Sequence, residues 1–145
     1  DPMNIRVHGI QPEHVGSAPS APEAFADMLD WIDGDILVAH NAAFDMGVIR
    51  STLEVIGRSI PPLEYACSLQ VARATYKKEG GVPANHRLST MADFIGIQDF
   101  NHHDALADAD ACARLMLHAA NRHDAEDLAA LLKAVKQVLK PLARD

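Results

Sequence analysis

No stretch constrains the fold of this chain more than Ile36-Leu37-Val38-Ala39, a continuous apolar run without polar alternation. Such a run predicts a strand buried on both faces of a sheet that helices cover. It ends in His40-Asn41, and Asn41 is placed to cap a helix from about Ala42 to Ile56, stopped by Gly57 and Pro61-Pro62. Upstream, Ser20-Ala-Pro-Glu23 has the form of a capping box, and Phe25, Met28, Leu29 and Ile32 follow at helical spacing. Downstream, Leu63 to Cys67 predicts a second short strand, and Leu69, Ala72 and Tyr76 predict a helix behind it. Residues 78–87 hold Gly80-Gly81, Pro83 and Asn85 and read as a loop. Leu88 to Ile95 reads as a short helix ended by Gly96, and Asp104 as the cap of a long Ala-rich helix reaching about Ala120. Residues 124–140 are expected to form a C-terminal amphipathic helix that opens at Asp124 and carries Leu128, Leu131, Leu132, Val135 and Leu139 on one face. Strands alternating with helices point to a layered α/β fold. Two strand candidates are nevertheless too few for the sheet these helices would cover.

Composition bounds the function. With 145 residues, 48% hydrophobic and 23% charged, a single domain over residues 1–145 is expected. It should bury roughly 68–70% of its unfolded surface and need no disulfide or metal to fold. Thirteen Lys+Arg against twenty Asp+Glu give a net charge of −7, which argues against a general nucleic-acid coat protein. The same balance does not exclude an enzyme that meets phosphates through bound cations. Residues 1–50 carry eight acidic residues against two basic ones and so hold most of the net negative charge, whereas Arg73, Lys77, Lys78 and Arg87, with only Glu79 among them, form a local basic stretch. That stretch is where cationic side chains would meet phosphate, a solvated loop being the plain alternative. No apolar run approaches the roughly 18–20 residues needed to cross a bilayer, so the chain reads as soluble, cytoplasmic and without a membrane partner. Cys67 and Cys112 form no CxxC pair and read as reduced thiols.

Two segments repeat one chemical arrangement. In His40-Asn41-Ala42-Ala43-Phe44-Asp45, a strand enters a helix whose first turn carries Asp45; in His103-Asp104-Ala105-Leu106-Ala107-Asp108, a loop histidine precedes a helix whose first turn carries Asp108. Each carboxylate lies near the positive end of a helix dipole, which favours the ionised form that Mg²⁺ or Mn²⁺ requires. His103, outside the helix and with an ordinary pKa near 6.5, is suited to take a proton from a water near neutral pH. Taken singly, an Asp in a first turn is also an ordinary dipole complement. Asp110 lies on another helical face and reads as solvated, Asp124-Ala-Glu126 reads as a cap with a first-turn acid, and His8 reads as structural.

Together with Val7-His8-Gly9-Ile10 and Arg87-Leu88-Ser89-Thr90-Met91-Ala92, these segments resemble the DEDD-type exonuclease superfamily. The resemblance is to its DnaQ-like branch with a histidine base, which includes the proofreading epsilon subunit of bacterial DNA polymerase III. Order and spacing match from near residue 5 to near residue 120. The resemblance implies a ribonuclease-H-like three-layer fold with a central mixed sheet flanked by helices. It also implies metal-dependent 3′-to-5′ hydrolysis of DNA or RNA to nucleoside monophosphates, with two divalent cations, Mg²⁺ or Mn²⁺, as cofactors. By the same resemblance Asp45 and Asp108 are metal ligands and His103 is the general base. The implied partners are a nucleic acid with a free 3′ end, single-stranded or frayed, and a DNA polymerase or other replication or repair protein.

Asn41, Phe44, Met46, Arg73 and Arg87 are candidate substrate contacts, with core packing as the alternative for Phe44 and Met46. The family opens with a strand bearing an Asp-x-Glu pair, and none precedes Asp45 here, so an exonuclease domain incomplete at its N-terminus and lacking its first strands is expected. Two other functions compete: a non-catalytic nucleic-acid-binding or scaffold domain of the same fold, and an HD-type phosphohydrolase suggested by His103-Asp104. The second is an all-helical class, against which the Ile36–Ala39 run counts.

Overall fold

At Ser20 the backbone N–H and the hydroxyl both donate to the Glu23 carboxylate, at 2.8 and 2.6 Å, and helix α3 (Ala21–Ile32) starts there. The hydroxyl bond first, then the backbone bond, holds the Glu23 carboxyl below its ordinary range. The computed structural model describes residues 2–77, 83–98 and 104–143, so His102, His103, Lys78 and Gly80-Gly81 lie outside the described residues. Two short helices, α1 (Pro2–His8) and α2 (Pro12–Val15), precede α3 and bury no residue. Asp33 and Gly34, both at positive φ, then turn the chain into β1 (Leu37–Ala39).

A parallel strand–helix–strand unit follows. Helix α4 (Ala43–Val55) returns the chain so that β2 (Glu64–Cys67) lies parallel to β1, with Leu37 opposite Tyr65 and Ala39 opposite Cys67. A third strand, β3 (Lys140–Pro141), pairs antiparallel to β2, giving a mixed sheet of order β1-β2-β3. On the helical side, α5 (Ser68–Thr75), α6 (Leu88–Phe94), α7 (Ala105–Arg122) and α8 (Leu128–Ala134) complete the elements. The mixed sheet flanked by helices is the expected α/β arrangement, and it separates this chain from the all-helical HD class. Among the described residues no strand precedes β1.

The sheet separates two apolar cores. Ile32, Met46, Leu63 and Leu142 gather on one side with Leu37, Ala39 and Tyr65. Ala66 faces the other, larger core, built from Val71, Met91, Leu115, Leu131 and their neighbours. Helix α7 serves this core with a stripe of Ala111, Cys112, Leu115, Met116 and Ala119, the helical repeat of one buried face. Its start is fixed by Asp104, whose carboxylate accepts the Ala107 N–H at 2.9 Å.

Three expectations are corrected. The Ile36–Ala39 run is not covered on both faces: Val38 is 37% exposed, because β1 is an edge strand and its Val38 side borders a cavity. Asn41 does not cap α4; it adopts φ +68, its carbonyl accepts the Phe44 N–H at 3.0 Å, and Ala42 is the cap position. Nor does a helix span 124–140: Asp124 (φ +49) and Lys136 (φ +56) are left-handed turn residues, and α8 between them is capped by Asp127, whose carboxylate accepts the Ala130 N–H at 2.7 Å. Beyond Lys136 the chain extends into β3, and the fully buried Leu142 donates its N–H to the Leu63 carbonyl at 2.7 Å.

Leu115→Ala, at a site 1% exposed, should lower stability by about 2–5 kcal/mol in urea titrations. Leu117→Ala, two residues on and 65% exposed, should stay within about 0.5 kcal/mol of the parent.

Candidate active site

The parallel strands β1 and β2 end at Ala39 and Cys67, and the residues beyond both ends open onto a cavity of about 1400 Å³. Sites beyond the carboxyl ends of parallel strands are where α/β sheets commonly hold ligands. Asp45 enters the cavity from the first turn of α4, and Asp108 enters from the first turn of α7. Residues 63 positions apart are thus brought to one space by the packing of α7 against β1.

Between these elements stands His40. Its Nε2 lies 2.8 Å from the His86 carbonyl oxygen and its Nδ1 lies 2.9 Å from the Ser68 hydroxyl. A carbonyl only accepts, so Nε2 carries the proton; in the neutral ring Nδ1 then accepts from Ser68. Ser68 is fully buried and in turn accepts from the Cys112 thiol at 3.2 Å. His86 continues the chain of bonds by meeting the Tyr76 carbonyl through Nε2 at 2.6 Å. The end of β1, the start of α5, the segment before α6 and the wall of α7 are therefore tied through one imidazole. Burial is the main cause that pushes the His40 pKa below its ordinary 6.5; the His86 bond opposes this, and Arg73 reinforces it.

Burial likewise raises the pKa of Asp45, with its own backbone hydrogen bond and the nearby His40 pulling the other way. A carboxylate whose ionisation costs free energy in this way gains from a cation placed beside it. Mg²⁺ sites usually combine one or two protein carboxylates with phosphate oxygens and water, and Asp45 with Asp108 fit that donor set. Among the described residues no group of three or more His, Cys, Asp or Glu side chains gathers as a metal cage. The pair would leave most of the coordination shell to water and phosphate.

The remaining sequence candidates divide. Asn41, Arg73 and Arg87 line the same cavity as the two aspartates. Met46 does not: it is 2% exposed and packs in the smaller core with Ile32 and Leu63. Phe44, 71% exposed, projects to solvent one residue before Asp45 and is not among the lining residues. His103 lies outside the described residues. Sequence reading assigned no role to Ser68, His86 or Cys112. Cys112 had a usable signal, since it stands four residues after Asp108 and thus on the same helical face. Ser68 and His86 had none, because their partners come from segments distant in the chain.

The class defined by this arrangement is an α/β domain with paired carboxylates in a cavity at the carboxyl end of its parallel strands. A family model described as Exonuclease matches residues 1–116. Similar proteins include a DNA polymerase III PolC-type of Bacillus subtilis (strain 168), 35% identical over 117 residues, which covers 78% of this chain and 8% of that protein. Another is a DNA polymerase III PolC-type of Listeria innocua, 33% identical over 126 residues, covering 84% of this chain and 8% of that protein. The DNA polymerase III subunit epsilon of Haemophilus influenzae is 31% identical over 122 residues, covering 81% of this chain and 46% of that protein. The chain belongs to the DnaQ-like exonuclease family. It spans less than half the length of each of these relatives. Among the described residues no helix is long and apolar enough to cross a membrane.

His40→Ala should cost about 1–3 kcal/mol, the range for leaving buried hydrogen-bond partners unmade. Because the folded-state pKa of His40 lies below the ordinary 6.5, the unfolded chain binds more protons in the interval between the two values, and stability falls as pH drops through it. Urea midpoints at about pH 7.5 and pH 5.5 should therefore differ more for the parent than for His40→Ala. An equal pH dependence would show that His40 does not contribute.

Proposed function

We propose that this domain is a metal-dependent 3′-to-5′ exonuclease that releases nucleoside monophosphates from DNA or RNA. One observation carries the reading: Asp45 and Asp108, each in the first turn of a different helix, line one cavity at the carboxyl end of the parallel strands. Family membership supplies the nuclease chemistry, and the proposed cofactors are two divalent cations, Mg²⁺ or Mn²⁺. When bound, such cations supply activation of water and neutralisation of charge at the scissile phosphate.

Asp45 and Asp108 would hold the cations through their carboxylates. His103 would take the proton of the attacking water, a task suited to an imidazole titrating near neutral pH. His40 would keep the cavity walls in place without exchanging a proton with the substrate. Phe44, exposed beside Asp45, is available to stack on a terminal base. The relatives named as DNA polymerase III components support a replication polymerase as partner, within a single exonuclease domain over residues 1–145.

Single-turnover digestion of a 3′-labelled single strand with Mg²⁺ or Mn²⁺ tests the reading: the label should leave first, as a mononucleotide. Asp108→Ala should abolish this release while moving the melting temperature by only a few degrees. Release that survives Asp108→Ala would remove Asp108 from the mechanism. A parent protein that binds the strand without cutting it would favour the non-catalytic domain instead.

Mn²⁺ should also raise the melting temperature of the parent and do so less for Asp45→Asn, by mass action on the folded state. An equal rise in both would place the cation elsewhere.

A further inference from the structure

We propose that Arg73, Lys77 and Arg87 form a track for the backbone phosphates of a single-stranded nucleic acid whose 3′ end lies at Asp45 and Asp108. This rests on the nuclease reading and adds to it how the strand is held. All three cations are exposed and line the cavity that holds the aspartates. They arrive from two segments. Arg73 sits in the last turn of α5, and Lys77 follows just past its cap residue Tyr76, where the chain leaves the helix along the same cavity. Arg87 arrives from the segment before α6, which is fixed because the Arg87 N–H donates to Asn85 Oδ1 at 2.8 Å and the neighbouring His86 carbonyl is held by His40 at 2.8 Å.

Charge gives the track its meaning. The whole chain carries −7, so three cations at one cavity stand out against an acidic background. Among the described residues none of the three is ion-paired, in contrast to Arg114, which meets Asp110 at 2.8 Å. Cations left without carboxylate partners keep their charge available for phosphate. The cavity, about 1400 Å³, also exceeds the roughly 300–1,000 Å³ usual for a small-molecule pocket, leaving room for more than a terminal nucleotide. Contacts to phosphate are independent of sequence and disperse counterions, so they set affinity and salt dependence and leave the proton chemistry to other groups.

The test is fluorescence anisotropy of 5′-fluorescein-labelled oligothymidylate, with EDTA present so that binding is read without cleavage, over a range of salt. The comparison is between the parent and a triple variant carrying Arg73→Gln, Lys77→Gln and Arg87→Gln. At about 0.7 per phosphate contact, the log–log salt slope of the variant should be shallower by about 2, and its Kd at about 50 mM salt should rise about tenfold or more. A variant with Arg73→Lys and Arg87→Lys should bind much as the parent does, and Arg114→Gln should leave the slope unchanged. Equal slope and Kd in the parent and the triple Gln variant would overturn the track, as would a parent that fails to bind at low salt. So would a loss of the same size in Arg114→Gln, which would mark a general charge effect. A parent that binds with the expected slope yet releases no nucleotide with Mg²⁺ or Mn²⁺ would overturn the nuclease reading and leave the track standing.

Discussion

Both ring nitrogens of His40 are committed, one to a hydroxyl on α5 and one to a backbone carbonyl before α6, and the cavity depends on that commitment. The strands it follows are short, three residues in β1 and four in β2, so the sheet alone offers few ladder bonds to hold its carboxyl end. A partly buried imidazole meeting two polar partners replaces what a longer strand would provide. It also settles the state of its neighbours. With Nε2 donating to a carbonyl, Nδ1 accepts from Ser68, and Ser68 keeps a lone pair for the Cys112 thiol. Burial raises the pKa of that thiol, and it remains a donor in the wall of α7.

Around this junction the charges are sorted. The carboxylates come from helix starts, where the dipole favours anions; Arg73 comes from a helix end, where it favours cations. Helix direction and side-chain charge therefore agree on both sides of the cavity. An acidic chain thereby presents a mixed interior in which anions suited to metal ions face cations suited to phosphate. Placement of Asp45 and Asp108 in first turns also reduces the cost of keeping two carboxylates in one space.

Much of the fold was legible in local pattern. The capping box at Ser20, the strand ending at Ala39, the strand ending at Cys67 and the caps at Gly96 and Asp104 involve groups within a few residues of one another. The failures share a cause. Val38 looked like a covered strand residue, but its exposure depends on a cavity that other segments build. Asn41 has the chemistry of a cap and is used for a left-handed turn, to which asparagine is equally suited. The periodic leucines after Asp124 all serve the larger core, but Leu139 reaches it from beyond a left-handed turn at Lys136, so one apolar pattern runs across a break that spacing does not show.

Over residues 21–122 the sequence by itself determined the element types, and with them the two first-turn aspartates and the excess of acid, because these follow from propensity, capping and composition, which act over short spans of chain. The tertiary structure alone decided that Asp45 and Asp108 share a cavity, that Arg73 and Arg87 face it, and that Met46 turns into the core. It also decided that Ser68 and His86 serve His40. Such outcomes require distant segments to meet, 28 residues apart for Ser68 and His40 and 46 for His86 and His40, and packing selects such meetings where local spacing cannot.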